Sequence, residues 1–399
     1  MRNRFRPMAV TFLLALFVAA CGGAEPITAG GDADDPAGTT DVSTPGAADD
    51  TSDPSATGWD ELYAEIEGLE GEERTNRLVE LSQEAGGVVQ WYGTMNGEEG
   101  NALVDAFTEK YDVPVDFYRA PARQVAQRTI QEHAAGYGNS ADVISANGTE
   151  MVILDREEIL AQFNSPVKDE YPDFALEGDG RWLWHYVNYY TPVWNTDLVS
   201  PDEAPRNWMD VLTNFGGGRC VLESKAYGWL ATLIPHLMES EGLTEEEAID
   251  VVRDAAAGCA AAVSGNTVVT TLVAAGQYDI VLAAYHISAR QRQDEGAPIE
   301  WIDPPAAVFG QANGFGLNTI APNPAGGLLF AEFALSQEGA EVIAEFGRTV
   351  AHPDVETGSI DPGYEVVPVP LESVIDEAER WQGLYDELNG LTSSGVIEQ

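Results

Sequence analysis

Between residues 59 and 85 apolar residues recur at helical spacing, with Leu62, Ile66 and Leu69 in one set and Leu78 and Leu81 in a second. Gly68 and Gly71 interrupt the run, so the pattern predicts two short helices ahead of a first strand. Residues 88–92 are that strand, the loop 93–100 follows it, and Leu103, Phe107 and Tyr111 mark one face of a helix. A second strand is predicted over 113–118, a second helix over 123–135 and a third strand over 141–145. Strands alternating with helices imply parallel pairing in a wound α/β sheet.

The aromatic stretch 182–194 is too β-prone for a helix and contains Pro192, and it reads as a strand leaving the first lobe. The rhythm then restarts, with strands over 219–222, 260–263 and 280–284 and helices over 227–238, 244–256 and 267–275. A strand at 299–302, the pair Pro304 and Pro305, and helical stretches at 325–334 and 339–346 are expected to return the chain to the first lobe. The expected organisation is residues 58–190 in lobe one, 191–300 in lobe two, and 301–399 returning to lobe one with C-terminal helices.

The start of the chain changes this picture. Arg2, Arg4 and Arg6 precede an apolar run over 8–20 that is short for a membrane span, and small residues lead into Cys21, Gly22 and Gly23. This reads as a signal peptide over 1–20 with lipidation of Cys21, and so as an extracytoplasmic protein anchored to the membrane by lipid. Residues 21–57 are rich in Gly, Ala, Asp, Ser, Thr and Pro, and are expected to be a disordered acidic linker. The formal net charge is −46, and Lys110, Lys168 and Lys225 are the only lysines, which argues against nucleic acid or anionic lipid surfaces as partners. Cys220 and Cys259 admit either one disulfide or two buried thiols, and no spacing suggests structural zinc.

Several short segments in order carry a family resemblance: 88–93 (VVQWYG), 141–143 (ADV), 194–198 (WNTDL), 204–208 (APRNW), 296–299 (GAPI), 321–324 (APNP) and 334–339 (ALSQEG). Over about residues 84–355 the chain resembles the ABC-transporter solute-binding proteins of the ferric-iron type. The resemblance implies two wound lobes joined by two crossover strands, with a ligand cleft between them that closes on its solute. It also implies a monomer that delivers a small molecule or iron to an ABC permease and ATPase complex, with no cofactor of its own.

Ferric members hold the metal with a histidine after the first strand, a glutamate after the third, and two adjacent tyrosines in lobe two. The matching places here carry Asn96, Asn147, Tyr285 and His286. Ferric ion favours anionic oxygen ligands, so these changes weaken the iron reading, although Tyr285 and His286 remain as metal ligands alongside a synergistic anion. The other route is anion capture. Ser224 and Lys225 follow a strand and open a helix, and Asn266 and Thr267 open the next, where free N–H groups and the helix dipole favour an anion. Tyr92 ends the first strand, with Thr94 and Asn96 beyond it, where wound sheets place ligands. Tyr189, Tyr190 and Trp194 are expected to pack rather than bind, and His133, His185, His236 and His352 form no ligand spacing. A small anionic or polar solute is therefore favoured, with iron as the alternative cargo.

No GxSxG elbow, HExxH helix, Walker loop or GxGxxG after a strand occurs, so an enzyme is not expected. A sensor or adhesin on the same scaffold is the rival of another class. The anchor is directly testable: Cys21→Ala is expected to leave the protein unlipidated and released from membranes, and membrane retention equal to wild type would remove the lipobox reading.

Overall fold

The computed structural model describes residues 58–356 and 363–397. The signal, Cys21 and the linker expected over 1–57 lie outside the described residues.

Helix α1 (Gly58–Glu65) buries Trp59 and Leu62 and α2 (Gly71–Glu84) buries Arg74, Leu78 and Ser82, and Gly68 and Gly71 make the turn between them with φ of 75° and 53°. There follow β1 (Val89–Gly93), α3 (Gly97–Tyr111), β2 (Val115–Arg119), α4 (Ala122–Ala134), β3 (Val143–Asn147) and α5 (Gly148–Arg156). β1 lies between β2 and β3 and pairs in parallel with both, the arrangement expected of βα units. After the short β4 (Leu176–Glu177), the long strand β5 (Trp182–Asn195) carries the chain out of this first lobe.

The second lobe repeats the theme with α6 (Trp208–Asn214), β6 (Cys220–Glu223), α7 (Tyr227–Ser240), α8 (Glu245–Gly258), β7 (Ala261–Val263), α9 (Asn266–Ala274), β8 (Ile280–Tyr285), α10 (His286–Asp294) and β9 (Ile299–Trp301). Here β6 is central and parallel to β7 and β8. Strand β10 (Ala307–Leu317) then runs back antiparallel to both β5 and β3. With β13 (Val396–Ile397) at one edge, the sheet order is β13-β7-β6-β8-β5-β10-β3-β1-β2, so β5 and β10 are the two strands shared by the lobes. The structure thus has the two wound lobes and paired crossover strands that the resemblance implies.

Helices α11 (Pro324–Leu335) and α12 (Gln337–Ala344) and strand β11 (Thr349–Val350) rejoin the first lobe. Ten residues of α11 are buried, because this helix is apolar on all sides and lies between α2 and the sheet. The chain does not end there. Strand β12 (Glu365–Pro368) pairs with β10, α13 (Leu371–Asp376) follows, α14 (Ala378–Leu391) packs on α7 and α8, and β13 (Val396–Ile397) extends β7. Of the C-terminal helices, α13 packs on α5 of lobe one and α14 finishes on lobe two. Trp381, Tyr385 and Leu388 are the cause, since these buried residues join the second lobe's apolar core.

Each lobe has its own core. Trp91 stacks on Phe117 at 3.9 Å and meets Phe330 at 5.2 Å in the first, while Trp208 stacks on Phe309 at 4.8 Å in the second. Where the crossover strands pass each other, side chains are traded for close approach: a Cβ on Gly314 would lie 2.4 Å from Trp182 Cε3 and 2.8 Å from Met151 Cγ. Pro192 has no N–H to donate, and the β5–β8 register shifts between Thr191 and Val193 at that point.

Cys220 of β6 and Cys259 at the end of α8 are joined by a disulfide that closes a 39-residue separation inside the second lobe. Replacing both with Ser is expected to lower stability by about 2–4 kcal/mol in denaturant unfolding. Without reductant, the denatured wild-type protein should offer no thiol at either position to a labelling reagent. Free labelling of both would contradict the pairing.

Candidate functional site

A cleft of about 610 Å³ opens between the lobes, within the size range of small-molecule sites. Its walls are the carboxyl ends of the strands of both lobes, and its floor is formed by the crossover strands through Tyr186, Asn188, Tyr190 and Gln311. Wound sheets place ligands at strand carboxyl ends because the helices that follow turn their N–H groups toward that edge.

On the first lobe the site begins with Thr94 and Asn96. Thr94 Oγ1 accepts a hydrogen bond from Asn313 Nδ2 at 2.9 Å. Asn96 caps α3: its Oδ1 accepts from the Glu99 N–H at 3.1 Å and its Nδ2 donates to Glu99 Oε1 at 2.8 Å. Glu99 is fully buried and is the centre of a larger network. Arg348 donates to its Oε2 at 2.9 Å and to Asn188 Oδ1 at 2.7 Å, and its guanidinium lies 4.5 Å over the Tyr186 ring. Gln291 of α10 donates to Glu99 Oε1 at 2.7 Å, so this ion pair ties lobe one, the crossover strand and lobe two together. Asn147 ends β3 and makes no capping hydrogen bond.

Across the cleft, Glu223 ends β6. Its carboxylate accepts from the Lys225 N–H at 2.9 Å and the Gly265 N–H at 2.8 Å. Burial pushes this carboxyl above its ordinary range, while the two N–H donors and the Lys225 charge oppose the shift. The Lys225 and Gly265 N–H groups, in the loops that open α7 and α9, are thus held by the protein's own carboxylate. Still facing the cleft are the Lys225 side chain, the Ser224 hydroxyl, Thr267, and the first turns of α7 and α9, whose N–H groups have no partner within their own helix. Ser224 is 6% exposed and its Oγ has no hydrogen-bond partner. Asn266 Oδ1 accepts from the Tyr285 N–H at 3.0 Å. A second contact joins the lobes where Tyr227 Oη donates to Glu150 Oε1 at 3.3 Å.

The family described as bacterial extracellular solute-binding protein matches residues 102–360. The chain belongs to that family. Among solved structures it is similar to the periplasmic binding protein P5PA (19% identity, TM-score 0.65, covering 74% of this chain and 98% of that one). It is also similar to iron-bound HitA from Pseudomonas aeruginosa (18% identity, TM-score 0.62, covering 75% and 99%). A third is AfuA from Actinobacillus pleuropneumoniae with fructose-6-phosphate bound (18% identity, TM-score 0.64, covering 75% and 98%). Identities this low establish the fold and not the ligand. No curated protein matches the chain. As an extracellular solute-binding protein of the ABC-transporter type, it takes a small-molecule cargo and works with a permease and an ATPase, and it is a binding protein rather than an enzyme.

In this solute-binding protein, Thr94, Asn96, Asn147, Ser224, Lys225, Asn266, Thr267 and Tyr285 all line the cleft. Tyr92 and His286 do not, which corrects their expected place at the ligand. Alternation along β1 turns Tyr92 toward α4, where its ring lies 4.4 Å from the Arg128 guanidinium and its Oη donates to Glu132 Oε1 at 3.3 Å. Burial and Glu132 push its phenol up to about 12. His286 turns into the lobe-two interior, edge-on to Trp301 at 4.7 Å, and burial lowers it to about 4. The adjacent pair Tyr285 and His286 therefore does not converge on one point. Tyr285 donates from its Oη to Gln311 Oε1 at 2.8 Å, the same atom that accepts from Tyr190 Oη at 2.8 Å, and burial raises its phenol well above the ordinary value.

Sequence reasoning passed over several cleft residues. Among the described residues the lysines and arginines without a carboxylate ion-pair partner are Arg119, Arg123, Lys168, Arg206 and Lys225. Three of these, Arg119, Arg123 and Lys225, line the cleft. Arg119 ends β2 and Arg123 opens α4, positions that carry no distinguishing local motif. Tyr190, for which packing is the favoured expectation over lining the cleft, is part of the cleft floor.

The placement of His286 has a pH signature. Its folded value of about 4 lies below the ordinary 6.5, so its contribution to stability is complete above pH 6.5 and is lost as pH falls through that window toward 4. His286→Phe is expected to flatten this acid limb in pH-dependent denaturant unfolding. An unchanged acid limb would contradict a buried neutral imidazole.

Proposed function

We propose that this lipid-anchored protein captures a small anionic solute in the interlobe cleft and passes it to its importer. The observation that carries the reading is the placement of unpaired cations. In a chain of net charge −46, where most guanidinium and ammonium groups are paired, Arg119 and Arg123 of lobe one and Lys225 of lobe two face one cavity without carboxylate partners. The first turns of α7 and α9 add N–H donors on the same side as Lys225. An anion bridging these groups touches both lobes, which is the condition for binding to favour the closed state. Asn96, Asn147, Asn266, Thr267 and Tyr285 would then select among anions by hydrogen bonds. The fructose-6-phosphate bound by AfuA is an anion of this kind.

Iron is supported by the likeness to HitA, but the donors here fit it less well. Asn96 and Asn147 are neutral, His286 is turned away, and Tyr285 is held as a hydrogen-bonded phenol. Among the described residues no group of three or more His, Cys, Asp or Glu side chains is placed to hold a metal.

A thermal-shift and titration panel of inorganic phosphate, sugar phosphates, phosphonates and ferric salts, with and without carbonate, tests the assignment. Binding of a phosphate or phosphonate compound is expected, and Lys225→Ala or Arg123→Ala should weaken it by about 1–3 kcal/mol, the scale of a charge-assisted hydrogen bond. Tight ferric binding with a visible band lost in Tyr285→Phe would overturn the reading.

A further inference from the structure

The carboxylates of the cleft are not equivalent. Glu223 is satisfied by two backbone N–H groups and is part of the scaffold. Glu150, near the start of α5, is 6% exposed and accepts from Thr149 Oγ1 at 2.8 Å, Tyr227 Oη at 3.3 Å and its own backbone N–H, all neutral donors. Asp386 of α14 reaches the same cavity and, like Glu150, has no ion-pair partner. A buried carboxylate is unfavourable unless it is ion-paired, and Glu150 makes no ion pair although Arg123 of the same cavity is near enough to act on its charge. The cleft thus presents both signs of charge, with no ion pair joining Arg119, Arg123 or Lys225 to Glu150 or Asp386. A second observation points to an absent guest: the Ser224 Oγ is buried at the cleft with neither donor nor acceptor beside it.

We infer that the cargo carries a protonated amine as well as its anionic group, with Glu150 and Asp386 receiving the ammonium while Arg119, Arg123 and Lys225 hold the anion. This rests on the anion reading above and narrows it. An ammonium offers three donors, and so can be shared by Glu150, Asp386 and the Ser224 hydroxyl. Asp386 comes from α14, which lies beyond the residues 102–360 that match the family.

Matched probes that differ only in the amine separate the two levels of the argument. Phosphoethanolamine and ethyl phosphate, and 2-aminoethylphosphonate and ethylphosphonate, are titrated into the full-length protein. The amine-bearing member of each pair is expected to bind at least about tenfold tighter, the usual scale of one charge-assisted hydrogen bond. Glu150→Gln and Asp386→Asn should each shrink that ratio. Asp386 is exposed, so its variant remains informative if Glu150→Gln impairs folding. Equal affinity within both pairs, or a ratio unmoved by Asp386→Asn, overturns the inference and leaves the anion reading standing. Failure of every phosphate and phosphonate compound to bind overturns both.

Discussion

The antiparallel pairing of β5 with β10 is the constraint on which the rest of the molecule depends. Both lobes are built outward from these two strands, β3 pairing on one side and β8 on the other, so one continuous ladder fixes where the two sets of strand ends face each other. Backbone hydrogen bonds set this alignment and side chains adapt to it. Gly314 lies where the Trp182 ring leaves no room for a Cβ, and Pro192 lies where the ladder already breaks. Polar residues within central strands are unusual for core positions; here Gln311 on β10 and Asn188 on β5 form part of the cleft floor, and Asn313 on β10 donates to Thr94 of the cleft wall.

Electrostatics follows from that geometry. A chain with 66 acidic and 20 basic residues has few cations to distribute, and most are paired with nearby carboxylates. The buried Glu99–Arg348 pair is different in kind, because Asn188 and Gln291 complete its hydrogen bonds and link it to both lobes. Such a pair gives position more than stability. The same chemistry explains the second lobe's loop, where Glu223 stands in for an external anion and holds the turns after β6 and β7 against each other.

Much of the architecture was legible because it is periodic. The βα alternation of residues 88–145 and 219–284 follows from apolar spacing alone, and the ordered segments of the family resemblance supplied the two-lobed connection. Strand β10 was not legible from its pattern, since residues 307–317 contain three glycines and two amides and read locally as a loop. Its strand character comes from flanking partners on both sides. In the site, residues next to strand ends were accessible to reasoning, whereas side-chain direction was not: Tyr92 and His286 sit at the right sequence positions and point the wrong way. Arg119 and Arg123 were invisible for another reason, since a cation becomes informative only once every other cation's partner is known.

The C-terminal segment has a mechanical consequence. Two crossover strands alone would leave the lobes able to bend toward each other and also to twist about the strand direction. Here the chain passes between the lobes a third time: β12 runs along β10, α13 packs on α5 of the first lobe, and α14 and β13 finish on the second. The third connection resists twisting about the strand direction, so the low-cost motion left to the lobes is bending toward each other across the cleft. Because α14 also carries Tyr385 and Asp386 into the cleft wall, the segment that restricts the motion moves with the surface that meets the cargo.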